Sequence, residues 1–156
     1  DRRISLFLLN NILGGPGMNN RLNLSLREHN GLVYNVESNI ASYTDTGVFS
    51  VYFGTDPKNR KRAMHLVHRE LDKFRTEKLS ERQLEAAKKQ ALGQLGVSVD
   101  NRESLFLNLG KSFLHYNRFD SMEEVFEQIQ GVTAESIWQV AGELFDPDRL
   151  FTLMYD

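Results

Sequence analysis

The 156-residue sequence contains no cysteine. Disulfide bridges and thiolate metal sites are therefore excluded, and the absence fits a reducing compartment. Charge of one sign is not in excess: 19 basic residues face 21 acidic ones, for a formal net charge of −2. That balance gives no reason to expect nucleic acid or an anionic membrane as a partner. There is no apolar run of about twenty residues of the kind that crosses a bilayer. No signal peptide is visible either. The start, Asp1-Arg2-Arg3-Ile4, runs straight into a helical pattern. The chain is thus expected to be a fragment of a longer protein, with any signal peptide upstream. The compartment expected is the cytoplasm, with the periplasm left open on the same ground.

Several chemistries are missing as well. No serine sits in Gly-x-Ser-x-Gly, so a nucleophile elbow is not present. Gly14-Gly15-Pro16-Gly17 lacks the Gly-Lys-Ser/Thr ending of a phosphate-binding loop and follows a helix rather than a strand. A turn between helices explains it. The four histidines are His29, His65, His68 and His115. His65 and His68 share a helix face, but Glu70 points to the opposite side, and a helical zinc site needs a third ligand. These histidines read as part of a solvated face beside Lys61, Arg62 and Arg69, and His115 as a helix-surface residue.

What is present is the length of one domain, 1–156, with apolar and charged fractions ordinary for a globular protein. Ile4, Leu8 and Ile12, with Phe7 beside them, make a first helical stripe ended by the Gly14–Gly17 turn. Asn19 or Asn20 can cap a second helix, and Gly31 suits the position just past its end. Leu22, Leu24 and Leu26 crowd that helix and leave its buried face open. Leu32, Tyr34, Val36 and Ile40 alternate with polar residues, as do Phe49, Val51 and Phe53. With Thr44-Asp45-Thr46-Gly47 between them, they predict an antiparallel hairpin.

Helices follow. Pro57 opens one with Ala63, Val67, Leu71 and Phe74 inward. Ser80 and Gln83 form a capping box before Leu84, Ala87, Ala91 and Leu95. Asp100 and Glu103 frame another, with Phe106, Leu109, Phe113 and Tyr116. Ser121 and Glu124 frame a short one that stops at Gly131. Thr133 caps the last, with Ile137, Val140 and Leu144 inside, and Pro147 breaks it. Phe151, Leu153 and Tyr155 alternate as a closing strand. The fold class expected is α+β, an antiparallel sheet with helices packed on one face. Three strands are few for so many helices, so the first strand or strands are expected upstream.

Arg27 and Tyr34 are the candidate site. Arg27 falls in the last turn of the second helix, Gly31 turns the chain, and Tyr34 stands near the start of the first strand. A guanidinium and a phenol so placed can converge on one oxygen that gains charge in a reaction. The same residues have structural readings. Arg27 can complement the helix C-terminus, and Tyr34 can be a core tyrosine with its hydroxyl at the rim.

The block ILGGPGMNNRLNLSLREHNGLVYNVES resembles the signature of the C-terminal, non-zinc domain of the pitrilysin/insulinase-like zinc peptidases. These are inverzincins, related to the mitochondrial processing peptidases. The matching pieces are Leu13-Gly14-Gly15, Arg21-Leu22, Leu26-Arg27-Glu28, Gly31-Leu32 and Tyr34-Asn35-Val36. Later stretches resemble the family too: DTGVFSVYFGTDP, LSERQLEAAKKQALGQL and GVTAESIWQVAGELFDPDRLFTLMYD. Asn20 stands where the family usually has Ser. The resemblance implies the α/β sandwich of the processing-peptidase type. It implies that Arg27 and Tyr34, seven apart, reach toward the scissile carbonyl of a peptide substrate as catalytic and substrate-binding groups. His-x-x-Glu-His is absent, so no metal ligand and no cofactor is expected in this chain. Zinc is expected in the partner, a His-x-x-Glu-His-bearing domain or subunit of the same peptidase. On this reading the isolated chain cleaves nothing. The alternative is a non-catalytic scaffold or binding subunit of the same fold.

Overall fold

The computed structural model describes residues 2–43, 45–99, 113–114, 117 and 120–155. Its first helix, α1 (Arg2–Gly14), buries Ser5, Leu8, Leu9, Asn11 and Leu13. Of the expected stripe, Leu8 is fully buried, whereas Ile4, Phe7 and Ile12 are half-buried. The shift has a simple cause: neighbours cover α1 on more than one side, so its buried arc is wider than a single stripe. Gly14 ends the helix where it meets the first strand. A Cβ there would lie 2.7 Å from both the backbone N and the Oγ of Ser38. Close approach, as well as helix termination, requires glycine at this position.

The second helix, expected between a cap at Asn19 or Asn20 and Gly31, is found, but over Asn23–Glu28 it is wound as a π-helix. His29 N–H accordingly donates to the carbonyl five residues back, Leu24 O, at 3.0 Å. Of the two capping candidates the structure selects Asn20. Its Oδ1 accepts from Asn23 N at 2.8 Å, and its Nδ2 donates to the carbonyls of Gly15 and Gly17. Leu22 and Leu26, four apart on one face, are fully buried, and Leu24 is turned outward. Gly31, at φ +57°, closes the segment. Gly31 N–H donates to Arg27 O at 2.8 Å and Leu32 N–H to Leu26 O at 2.9 Å.

The hairpin forms as expected. β1 (Asn35–Ser42) pairs antiparallel with β2 (Gly47–Gly54), in register from Asn35↔Gly54 to Ser42↔Gly47. Val36, Ser38 and Ile40 of β1 and Phe49, Val51 and Phe53 of β2 turn toward the helices, while Glu37, Asn39, Val48, Ser50 and Tyr52 face outward. Phe49 meets Phe145 edge to face at 5.2 Å.

Among the described residues four more α-helices follow: α2 (Arg60–Thr76), α3 (Glu81–Val99), α4 (Met122–Gln130) and α5 (Ala134–Leu144). Each of the last three starts where a cap was read. Gln83 N–H donates to Ser80 Oγ, Glu124 N–H to Ser121 Oγ, and Ser136 N–H to Thr133 Oγ1. α5 packs against both α1 and α2, and α1 lies against β1. Phe74 and Phe145, each 1% exposed, anchor this core. Burying a side chain of that size contributes about 1.5–3 kcal/mol.

The architecture is α+β, with helices on one face of an antiparallel sheet. One expected strand is corrected. Residues 150–155 have no ladder partner among the described residues, and Phe151, Leu153 and Tyr155 are 98%, 76% and 86% exposed. Alternation alone does not make a strand: without a neighbour its N–H and C=O groups have no ladder to join and neither face is covered. The helix expected from Asp100 falls outside the described residues except for Phe113 and Leu114, which are helical.

Candidate functional site

The connection from the π-helix to β1 carries both candidate residues, and it is held at several points. Leu32 and Val33 are both buried. Leu32 O accepts from Thr55 Oγ1, and Tyr34 N–H donates to Gly54 O at 2.8 Å. From the other side, Arg62 of α2 donates to Asn30 Oδ1 at 2.8 Å, and Asn30 Nδ2 donates to Ser25 O at 2.7 Å. α2 also carries a buried carboxylate, Glu70, whose cationic partners reach solvent. The Glu70 carboxylate accepts from Lys73 Nζ at 2.9 Å, with Arg69 at 3.6 Å. Arg21, at the entry to the π-helix, stacks over Phe74 with 4.3 Å between its guanidinium carbon and the ring centroid. Burial pulls its pKa below the ordinary value, and the charges of Glu70 and Glu77 oppose that shift.

On this support Arg27 and Tyr34 both reach solvent. Arg27 is exposed in the last turn of the π-helix. Its guanidinium makes no hydrogen bond or ion pair with another described residue. Tyr34 is 70% exposed. The core-tyrosine reading is thereby overturned, for a local reason. β1 begins at Asn35, and with Leu32 and Val33 both inward the alternation breaks before the strand starts. Tyr34 stands on that bend and its ring leaves the core face.

The Tyr34 hydroxyl donates to Asp56 Oδ1 at 2.6 Å. The hydrogen bond to this carboxylate, and then its negative charge, push the phenol pKa above its usual value near 10. No hydrogen bond joins the Tyr34 hydroxyl to Arg27. Asp56 was not singled out by sequence reasoning. The signal was there in the hairpin register, which extends to place residue 55 opposite 34 and so puts Asp56 within a step of the ring.

His65 and His68 are exposed on α2. Among the described residues no group of three His, Cys, Asp or Glu side chains could hold a metal ion. The residues described here therefore do not fit a zinc site.

The sequence profile of the peptidase M16 inactive domain matches residues 1–91. The chain belongs to this family. The match contains the π-helix, the hairpin and α2, and so includes both candidate residues. An uncharacterized zinc protease of Bacillus subtilis is 29% identical over 154 residues, which cover 99% of this chain and 37% of that protein. An uncharacterized zinc protease of Mycobacterium bovis is 31% identical over 144 residues, 92% of this chain and 33% of that protein. The M16 inactive domain described here thus spans about a third of the length of these relatives. Among solved structures, a conserved protein from Enterococcus faecalis superposes with a TM-score of 0.77 at 28% identity, covering 90% of this chain and 32% of that one. A peptidase M16 inactive domain from Pseudomonas fluorescens gives 0.78 at 23% identity, covering 90% and 34%, and supports the fold. Among the described residues of this M16 domain, no helix is long and apolar enough to cross a membrane.

Proposed function

We propose that this M16 inactive domain supplies two hydrogen-bond donors, Arg27 and Tyr34, to the scissile carbonyl of a peptide substrate. The metal and the water-activating carboxylate then belong to a His-x-x-Glu-His-bearing domain or subunit of the same peptidase. The names of the relatives, zinc proteases, support the substrate class. The observation that carries the reading is the Tyr34 side chain itself. It stands outside the core, 70% exposed, with a hydroxyl whose proton is donated at the surface to Asp56. Seven residues away, Arg27 brings a cation with no partner among the described residues. A cation and a neutral O–H are suited to a carbonyl oxygen that becomes an oxyanion, because both donors are present before the charge develops.

The test uses the complete polypeptide containing this chain, together with any subunit it requires. Tyr34→Phe and Arg27→Ala should each lower peptide hydrolysis by about 10²–10³, the usual effect of losing one oxyanion donor. Melting should not move, since both side chains are exposed. Wild-type turnover at wild-type melting would overturn the reading and favour a scaffold role.

A further inference from the structure

Asp56 occupies a position with a known local duty and does not perform it. It precedes Pro57 at the start of a 3₁₀ turn (Pro57–Asn59), at the N-cap position, yet its side chain makes no capping hydrogen bond. The same molecule contains a counterpart. Asp146 precedes Pro147 at the start of a second 3₁₀ turn (Pro147–Arg149), and its carboxylate accepts from Asp148 N–H at 3.2 Å. Capping is the ordinary fate of an aspartate placed so. At Asp56 the carboxylate instead accepts from the Tyr34 hydroxyl at 2.6 Å.

A phenol has a single proton to donate. While it points at Asp56 it cannot also point at a substrate oxygen. If the phenol turned to a substrate with Asp56 unmoved, two oxygens would face each other at the same short distance with no proton between them. The carboxylate therefore needs another donor when Tyr34 engages substrate. The uncapped turn that Asp56 itself begins offers one, the Lys58 N–H, which corresponds to the group Asp146 caps.

We infer that Asp56 is a positioning residue that latches the Tyr34 hydroxyl in the substrate-free domain and releases it by turning to cap its own Pro57 turn. The inference rests on the reading of Tyr34 as a substrate donor. It adds a competition to that reading: substrate must displace a carboxylate to reach the phenol.

The experiment is a double-mutant cycle in the complete polypeptide, with kcat and KM measured for peptide hydrolysis. Asp56→Ala should raise kcat/KM roughly two- to fivefold, the range of an exposed charged contact. In a Tyr34→Phe background the same substitution should change nothing, because there is no proton to release. A second readout needs no turnover. In protein carrying ¹³C-labelled tyrosine, with the Tyr34 resonance assigned from Tyr34→Phe, Asp56→Ala should bring the phenol titration down to its ordinary range. A titration that does not move shows no latch in solution and overturns the proposal. A fall in kcat/KM on Asp56→Ala overturns it too, because Asp56 would then assist the donor instead of withholding it. A slow Tyr34→Phe with an unaltered Asp56→Ala removes the latch alone. Wild-type speed in Tyr34→Phe removes the donor reading first, and the latch with it.

Discussion

Gly14→Ala is expected to destabilise the chain even though alanine is the better helix former. Gly14 is the last residue of α1, and the added methyl would sit 2.7 Å from Ser38 N, 2.7 Å from Ser38 Oγ and 3.0 Å from Leu22 Cδ1. The Oγ can rotate away by giving up its bond to Asn10 O. The backbone N cannot, because Ser38 is fixed opposite Val51 in the hairpin. Relief must come from moving α1 off β1, an overpacking strain of about 1–3 kcal/mol. Against this stands the gain from replacing glycine in a helix, at most about 1 kcal/mol and smaller at a terminus. The net expectation is a loss of about 1–2 kcal/mol. For a chain of this size that lowers Tm by about 2–8 °C. Gly93→Ala is the control. It lies inside α3, is exposed, and an added Cβ has no atom within 4 Å. It should stabilise by about 0.5–1 kcal/mol. Thermal unfolding followed by circular dichroism reads both. Equal effects of the same sign, or a Gly14→Ala as stable as the parent, would refute the packing analysis.

Two further outcomes are expected. Leu26→Ala removes a fully buried side chain from the inner face of the π-helix and should cost about 2–5 kcal/mol, seen as a lower urea midpoint at unchanged slope. Glu135 is held below the usual carboxylate range by its hydrogen bond to Lys78, so its contribution is present above the unfolded pKa of about 4.3 and disappears as pH falls through the lower folded value. The stability of Glu135→Gln should therefore trail wild type at neutral pH and approach it in acid, and a difference as large at pH 3 as at pH 7 would argue against the ion pair.

Much of the fold was legible because its signals are local. Ser80 with Gln83, Ser121 with Glu124, and Thr133 each announce a helix start within four residues, and each cap is made. The hairpin was legible because Phe49, Val51 and Phe53 keep strict alternation next to a turn. Two things failed, both for non-local reasons. Phe151, Leu153 and Tyr155 have the period of a strand, but pairing depends on a neighbour that the pattern does not name. Leu22, Leu24 and Leu26 left the buried face of the second helix open, and nothing in their spacing announced the π-winding. At the candidate site, Arg27 and Tyr34 were singled out through family resemblance, while spacing alone left their roles open. Asp56, 22 residues from Tyr34, becomes visible only once the register of the hairpin is known.

The π-helix at Asn23–Glu28 has a consequence for how this segment tolerates change. Its backbone holds one residue more per turn than the same path would need as ordinary α-helix. Deleting a single residue there would let the segment rewind with i→i+4 bonds and still fit between Asn20 and Gly31. Because the residue lost is the extra one of the wide turn, side chains beyond the deletion would keep their direction, and only those inside the turn would shift. A shortened chain of that kind would keep Leu22 in the core and enter β1 along the same path. The wide turn is thus slack in the backbone, and natural variants one residue shorter in this stretch are expected to fold.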